Sequence, residues 1–179
     1  FSMGWDPTAF ISSERIAYRS FKPFISYSVF SPFRGIPLKP LSLDALRWIE
    51  PTELEVFGHE VRVENGENGF PTIRAFLKGE EIIPSPSIDQ FAIIESVARN
   101  PRTRGMIIEE PELTLHRDAE FEAGRRLSRY DKKLFITTHG SYLTMTMAYL
   151  LREKVKVYEL VDGKAEERKV TEDGLLEKL

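Results

Sequence analysis

Residues 106–116 read Met106-Ile107-Ile108-Glu109-Glu110-Pro111-Glu112-Leu113-Thr114-Leu115-His116, and residues 134–139 read Leu134-Phe135-Ile136-Thr137-Thr138-His139. Each is an apolar run of strand character that delivers polar, titratable side chains at its C-terminal end. In an open α/β sheet, ligands bind beyond the carboxyl ends of the strands. Two strands that carry adjacent acids and a histidine to one such edge form a layout suited to phosphate chemistry.

Working outward, the segment from Ser87 alternates between helical and strand patterns. Helices are predicted over 87–99, 117–130 and 141–153, and strands over 106–109, 134–137, 155–161 and 165–170. Asp162-Gly163 is read as a turn, and a closing helix is expected from Thr171 onward. Such alternation predicts an α/β fold with a largely parallel sheet covered by helices on both faces.

Upstream the signal is different. Leu54–Phe57 and Val61–Val63 flank a turn at Gly58-His59, residues 65–69 form a second turn, and Pro71–Leu77 reads as a further strand. These predict a small antiparallel β subdomain. Ser42–Glu50 reads as a short helix with Ser42 as N-cap and Pro51 as stop. Residues 10–16 read as a short strand running into a loop. Phe21, Phe24, Tyr27, Phe30 and Phe33 recur at threes between and around Pro23 and Pro32, the mark of an aromatic core patch. The expected division is an N-terminal segment over 1–83 with the antiparallel piece, and an α/β lobe over 84–179.

Composition narrows the class. With 179 residues, the chain is long enough for one domain with a core of its own and a small appendage. Hydrophobic residues make up 41% and charged residues 30%, the balance of an ordinary globular protein. A net charge of -3 argues against a nucleic-acid coat or a polybasic membrane binder. The absence of cysteine removes disulfides, zinc–thiolate sites and thiol chemistry, and fits a cytoplasmic setting. No apolar run is long enough to span a bilayer, and no signal-peptide pattern is present.

Glu109 and Glu110 are neighbours at a strand end, so their side chains can diverge, one toward a metal ion and the other toward a water. Magnesium is held through one or two carboxylates together with waters and phosphate oxygens. A second carboxylate can orient or deprotonate an attacking water. The bland alternative is a solvated acidic loop. His139 can donate to a terminal phosphate or hold the water, or it can simply cap the helix at Ser141. Ser85-Pro86-Ser87-Ile88-Asp89-Gln90 places Ser87 and Gln90 at capping-box spacing. A helix start with free amides and serine hydroxyls suits an anion; a well-capped helix is the plain alternative. His59 reads as surface decoration. Arg125, Arg126, Arg129, Lys132 and Lys133 read as a solvated helix end favoured by the helix dipole.

The run Gly105 to His116 resembles the Walker B strand and D-loop of ABC-type ATPases. It is most similar to the soluble branch that includes the SMC-like and overcoming-lysogenisation-defect-like enzymes. Ile136-Thr137-Thr138-His139-Gly140-Ser141-Tyr142-Leu143 resembles the switch-histidine segment of that group, and Ser85 to Ile94 a degenerate signature motif opening its helix. The order and spacing of all three match, over roughly residues 84–161. The resemblance implies a P-loop NTPase-like sheet, ATP and Mg2+ as ligands, and nucleotide sandwiched between two head-to-tail ATPase domains. By the same resemblance Glu109 is the magnesium-associated acid and Glu110 the carboxylate that positions water. His139 senses the γ-phosphate, Ser85 and Ser87 contact phosphate held by a second subunit, and His116 lies in the D-loop near that interface.

The departures matter as much. Nowhere does Gly-x-x-x-x-Gly-Lys-Ser/Thr occur, so the phosphate cradle of the family is missing and neither ATP nor Mg2+ is expected to bind tightly to this chain alone. Pro86 stands where the signature carries glycine, and Glu109 where aspartate is commoner. The expectation is the C-terminal lobe of an ABC/SMC-like ATPase that needs a P-loop segment, with a homodimer or that segment as partner. DNA enters by resemblance only, and no membrane is involved. The alternative is a non-catalytic dimerisation or regulatory module derived from such an enzyme. A metal-dependent hydrolase built on Glu109, Glu110, Glu112, His116 and His139 lacks a supporting ligand spacing.

Overall fold

The computed structural model describes residues 8–11, 48–66 and 71–177. The expected helix over 42–50, the aromatic patch and most of the second turn lie outside them. The described chain is mixed α/β. Its elements run β1 (Thr8–Ile11), β2 (Thr52–Val56), β3 (His59–Asn65), β4 (Pro71–Leu77), β5 (Glu80–Ile82), α1 (Pro86–Arg99), β6 (Gly105–Glu109) and α2 (Arg117–Leu127). They continue with β7 (Lys133–Thr137), α3 (Ser141–Leu151), a 3-10 turn (Arg152–Lys154), β8 (Val157–Val161) and β9 (Lys164–Arg168). The chain divides into two compact units, residues 1–114 with 132–137 and residues 115–131 with 138–179.

The first unit holds two sheets. β2-β3-β4-β5 form an antiparallel meander. Its apolar residues alternate as a half-buried sheet requires: Leu54, Val56, Val61, Val63 and Ala75 are buried, while Glu53, Glu55 and Glu60 face out. The β2–β3 turn is Phe57-Gly58, both at positive φ (49° and 80°), one residue earlier than the Gly58-His59 turn expected. Paired positive φ values fit a two-residue hairpin whose twist matches its strands. Helix α1 lies on this sheet, with the Phe57 and Phe91 ring centroids 4.9 Å apart. Every residue from Ile88 to Ala98 is buried, the condition of a helix surrounded by protein. Its Ser96 hydroxyl donates to the Glu50 carbonyl at 2.8 Å and accepts from the Glu50 amide at 3.1 Å.

The second sheet is parallel, in the order β1-β6-β7. β6 is central: Ile108 pairs with Ile11 on one side and with Ile136 on the other. Met106 and Ile108 are 1% and 0% exposed on one face. The other face carries Ile107, half-buried, and Phe135, which is 64% exposed. Among the described residues of this unit, none covers Phe135.

In the second unit α2 and α3 pack together. Gly124 makes room for this, since a Cβ there would sit 2.9 Å from the Thr146 Cβ. The rings of Phe121 and Tyr142 meet at 5.0 Å, and the Arg117 guanidinium lies over Tyr142 at 4.3 Å. β8 and β9 form an antiparallel hairpin. The turn expected at Asp162-Gly163 is present, both residues at positive φ, and it folds β8 back onto β9 as an exposed hairpin rather than into the parallel sheet. Among the described residues no closing helix follows Thr171. The Thr171 hydroxyl accepts the Leu175 amide and its carbonyl the Gly174 amide, while Val170 bridges to Leu176. A threonine that binds the backbone locally and a glycine at φ 78° close a turn rather than open a helix.

Candidate functional site

Parallel register decides what meets at the carboxyl edge of the first unit. Gly105 pairs with Lys133, and the match runs without a slip to Glu109 opposite Thr137. The Glu110 amide then donates to the Thr137 carbonyl at 2.7 Å, one last ladder bond beyond the strand. Glu110 itself sits at φ 46°, in the left-handed region. A non-glycine residue there is held by its surroundings at a cost of order 1–3 kcal/mol. Here Pro111 is buried directly behind it, and the Glu110 carbonyl accepts the Leu113 amide at 3.2 Å. The left-handed residue ends the strand at Glu109 and turns the chain out of the sheet. Glu109 and Glu110 are both half-buried.

The serines take separate tasks. Ser85, not Ser87, is the N-cap of α1: its Oγ accepts the Ile88 amide at 3.4 Å, and Pro86 occupies the first helical position. Proline there lacks only an N–H that the helix leaves unused. This thins the anion-binding end of the helix. The first position has no amide proton, the third gives its own to Ser85, and the fourth, Asp89, donates to the Ser85 carbonyl at 3.1 Å. Ser87 donates its hydroxyl to the Thr114 carbonyl at 2.8 Å. It thereby ties the start of α1 to the loop that follows Glu110, and its oxygen lone pairs stay available as acceptors. No sequence signal could have announced Thr114 or Thr137 as partners, because both act through main-chain carbonyls.

His116 and His139 belong to the second unit. His116 is the N-cap of α2; its Nδ1 accepts the Asp118 amide at 3.5 Å, and its side chain is 83% exposed. His139 is exposed and does not occupy the cap of α3. That position is Gly140, which no side chain caps and whose amide donates to Thr138 Oγ1 at 2.8 Å. The capping role is thus not what places a histidine at 139. The structure brings together Glu109, Glu110 and Thr137 at one edge, and Ser87 with Thr114; it assigns His116 and His139 to the other unit. His59 opens β3, with its Nδ1 2.9 Å from the Phe57 carbonyl.

Among the described residues no group of three or more His, Asp or Glu side chains gathers as a metal cage. Zinc, which wants three or four protein ligands, finds no such set. Magnesium asks for less, one or two carboxylates beside phosphate oxygens and water, and the Glu109–Glu110 pair fits that demand. Compared with known proteins, the chain matches no family model, and no curated protein is significantly similar to it.

Proposed function

We propose that this chain supplies the hydrolytic edge of an ABC/SMC-like ATPase, a P-loop NTPase-like lobe that acts together with a phosphate-cradling segment of its own or a second subunit. The observation that carries the reading is Glu110: a carboxylate in the left-handed region, at the carboxyl end of a central parallel strand, pinned through its amide to the neighbouring strand. Glu109 would hold magnesium through water or directly, and the ion would offset charge on the transferred phosphoryl group. Glu110 orients the attacking water and accepts its proton. Ser85 faces nucleotide held by a partner domain; His139 as sensor of the terminal phosphate and His116 near the interface enter the reading by the resemblance alone. Ser87 contributes as an acceptor, since its proton is committed to Thr114. DNA, as a possible partner, rests on the resemblance alone.

The test is ATP turnover by the chain combined with a P-loop-bearing segment. Glu110→Gln keeps the shape and removes the base, so turnover falls by about 10²–10⁴-fold while the thermal midpoint holds. Unchanged turnover in that variant would remove Glu110 as the base, whereas no turnover by the parent combination would transfer the chain to the alternative, a dimerisation or regulatory module without catalysis. The commitment of the Ser87 hydroxyl to a structural bond favours that alternative over direct phosphate contact at this one position.

A further inference from the structure

Glu110 holds a conformation that its own sequence opposes. A residue before proline is pushed toward extended backbone by the proline ring, and Pro111 follows Glu110 directly. Yet Glu110 sits at φ 46°. Contacts outside this dipeptide must therefore hold it there. One grips its amide, which donates to the Thr137 carbonyl at 2.7 Å. The other acts through the turn over residues 111–114. The Glu110 carbonyl accepts the Leu113 amide at 3.2 Å, and the carbonyl of the next residue, Thr114, is held by the Ser87 hydroxyl at 2.8 Å.

Ser87 is a fixed anchor. Pro86 sets the first position of α1, Ser85 caps it, and the helix is buried from Ile88 to Ala98. Thr114 has no comparable hold of its own. Its side-chain hydroxyl is buried without a hydrogen-bond partner among the described residues, so the carbonyl that Ser87 takes is what fixes it. The bond spans 27 residues and closes α1, β6 and the turn into one ring of structure. All of that ring lies in the first unit.

We infer that Ser87 is a positioning residue for Glu110. By holding Thr114 it keeps the turn closed and Glu110 in the left-handed region, and so fixes the direction in which the carboxylate leaves the chain. A shift of the first turn of α1 reaches that carboxylate through this one hydrogen bond. The role uses the Ser87 proton and not its lone pairs, so it is separate from a contact with phosphate. That the aimed carboxylate serves as a base rests on the ATPase reading above. The positioning itself rests on the opposed backbone at Glu110, the anchor at Ser87 and the unpartnered Thr114 hydroxyl.

A double-mutant cycle on the intact chain tests the positioning without nucleotide. Ser87→Ala lowers the urea midpoint less in the parent than in Glu110→Gly. In the parent the freed turn also releases strain, and glycine has none to release. Equal drops overturn the inference. The three-bond coupling between the amide and α protons of Glu110 reads φ directly. It shifts in Ser87→Ala and returns in Ser87→Thr, which keeps the hydroxyl; a coupling that stays put in Ser87→Ala also overturns the inference. Turnover with a P-loop-bearing segment adds the catalytic arm. Ser87→Ala lowers kcat by about 10–100-fold at unchanged KM, Ser87→Thr recovers it, and in a Glu110→Gln background Ser87→Ala has no further effect. Losses that multiply mean that Ser87 meets phosphate itself, and they too overturn the inference. Without turnover in the parent combination the ATPase reading fails, while the cycle and the coupling still decide the positioning. Turnover beside an additive cycle sinks the positioning and leaves the ATPase.

Discussion

At the residue scale the decisive position is Glu110. Its φ of 46° is a conformation that glycine adopts freely and other side chains resist. Glu110→Gly is therefore expected to leave stability unchanged or slightly raised in a urea titration. Glu110→Val, whose branched Cβ tolerates that region worst, lowers it by about 1–3 kcal/mol. If Glu110→Gly proves as destabilising as Glu110→Val, the backbone is not strained and the carboxylate is instead part of the packing. The pair Glu109-Glu110 was legible as a candidate because two acids end an apolar run; the left-handed turn was not, because nothing in a Glu-Glu-Pro-Glu string specifies a positive φ.

At the scale of elements, caps and ladders decide. α1 starts at Pro86, so Ser85→Ala removes its cap and costs about 1 kcal/mol. Ser87→Ala frees the loop at Thr114 and is expected to cost about 0.5–1.5 kcal/mol, with faster amide exchange confined to residues 111–114. Had Ser87 been the cap, Ser85→Ala would be silent in thermal unfolding. The antiparallel sheet carries a pH signature. The Arg74 guanidinium, donating two bonds to the Glu81 carboxylate at 2.9 and 2.6 Å, holds that carboxyl below its ordinary value of 4.5. A folded pKa below the unfolded one means that the contribution is present above pH 4.5 and is lost as pH falls through the lowered value. The carboxylate is exposed, so the effect is small and screened by salt. Acid titration of Glu81→Gln against the parent shows the two stability curves converging at low pH; parallel curves refute the coupling.

At the scale of the whole molecule, the chain is two compact units, and the buried mass of the first is α1 on the meander. Phe91 is 0% exposed there and meets Phe57. Phe91→Ala is expected to cost about 3–5 kcal/mol, read as a large loss of amide protection at Val61 and Ile94. A loss of less than half that size would mean that α1 is not the keystone of this unit. The sequence by itself determined the strands and helices around the Glu109-Glu110 pair, since apolar period, cap residues and Gly or Pro punctuation are local signals. It also determined that two apolar runs end in titratable residues. Only the tertiary structure decided which strands neighbour one another: that β6 is enclosed by β1 and β7, and that among the described residues β7 lies at the end of that sheet. Hydrogen bonds between distant strands depend on register and on what the rest of the chain has already covered, and neither quantity is written in any one segment.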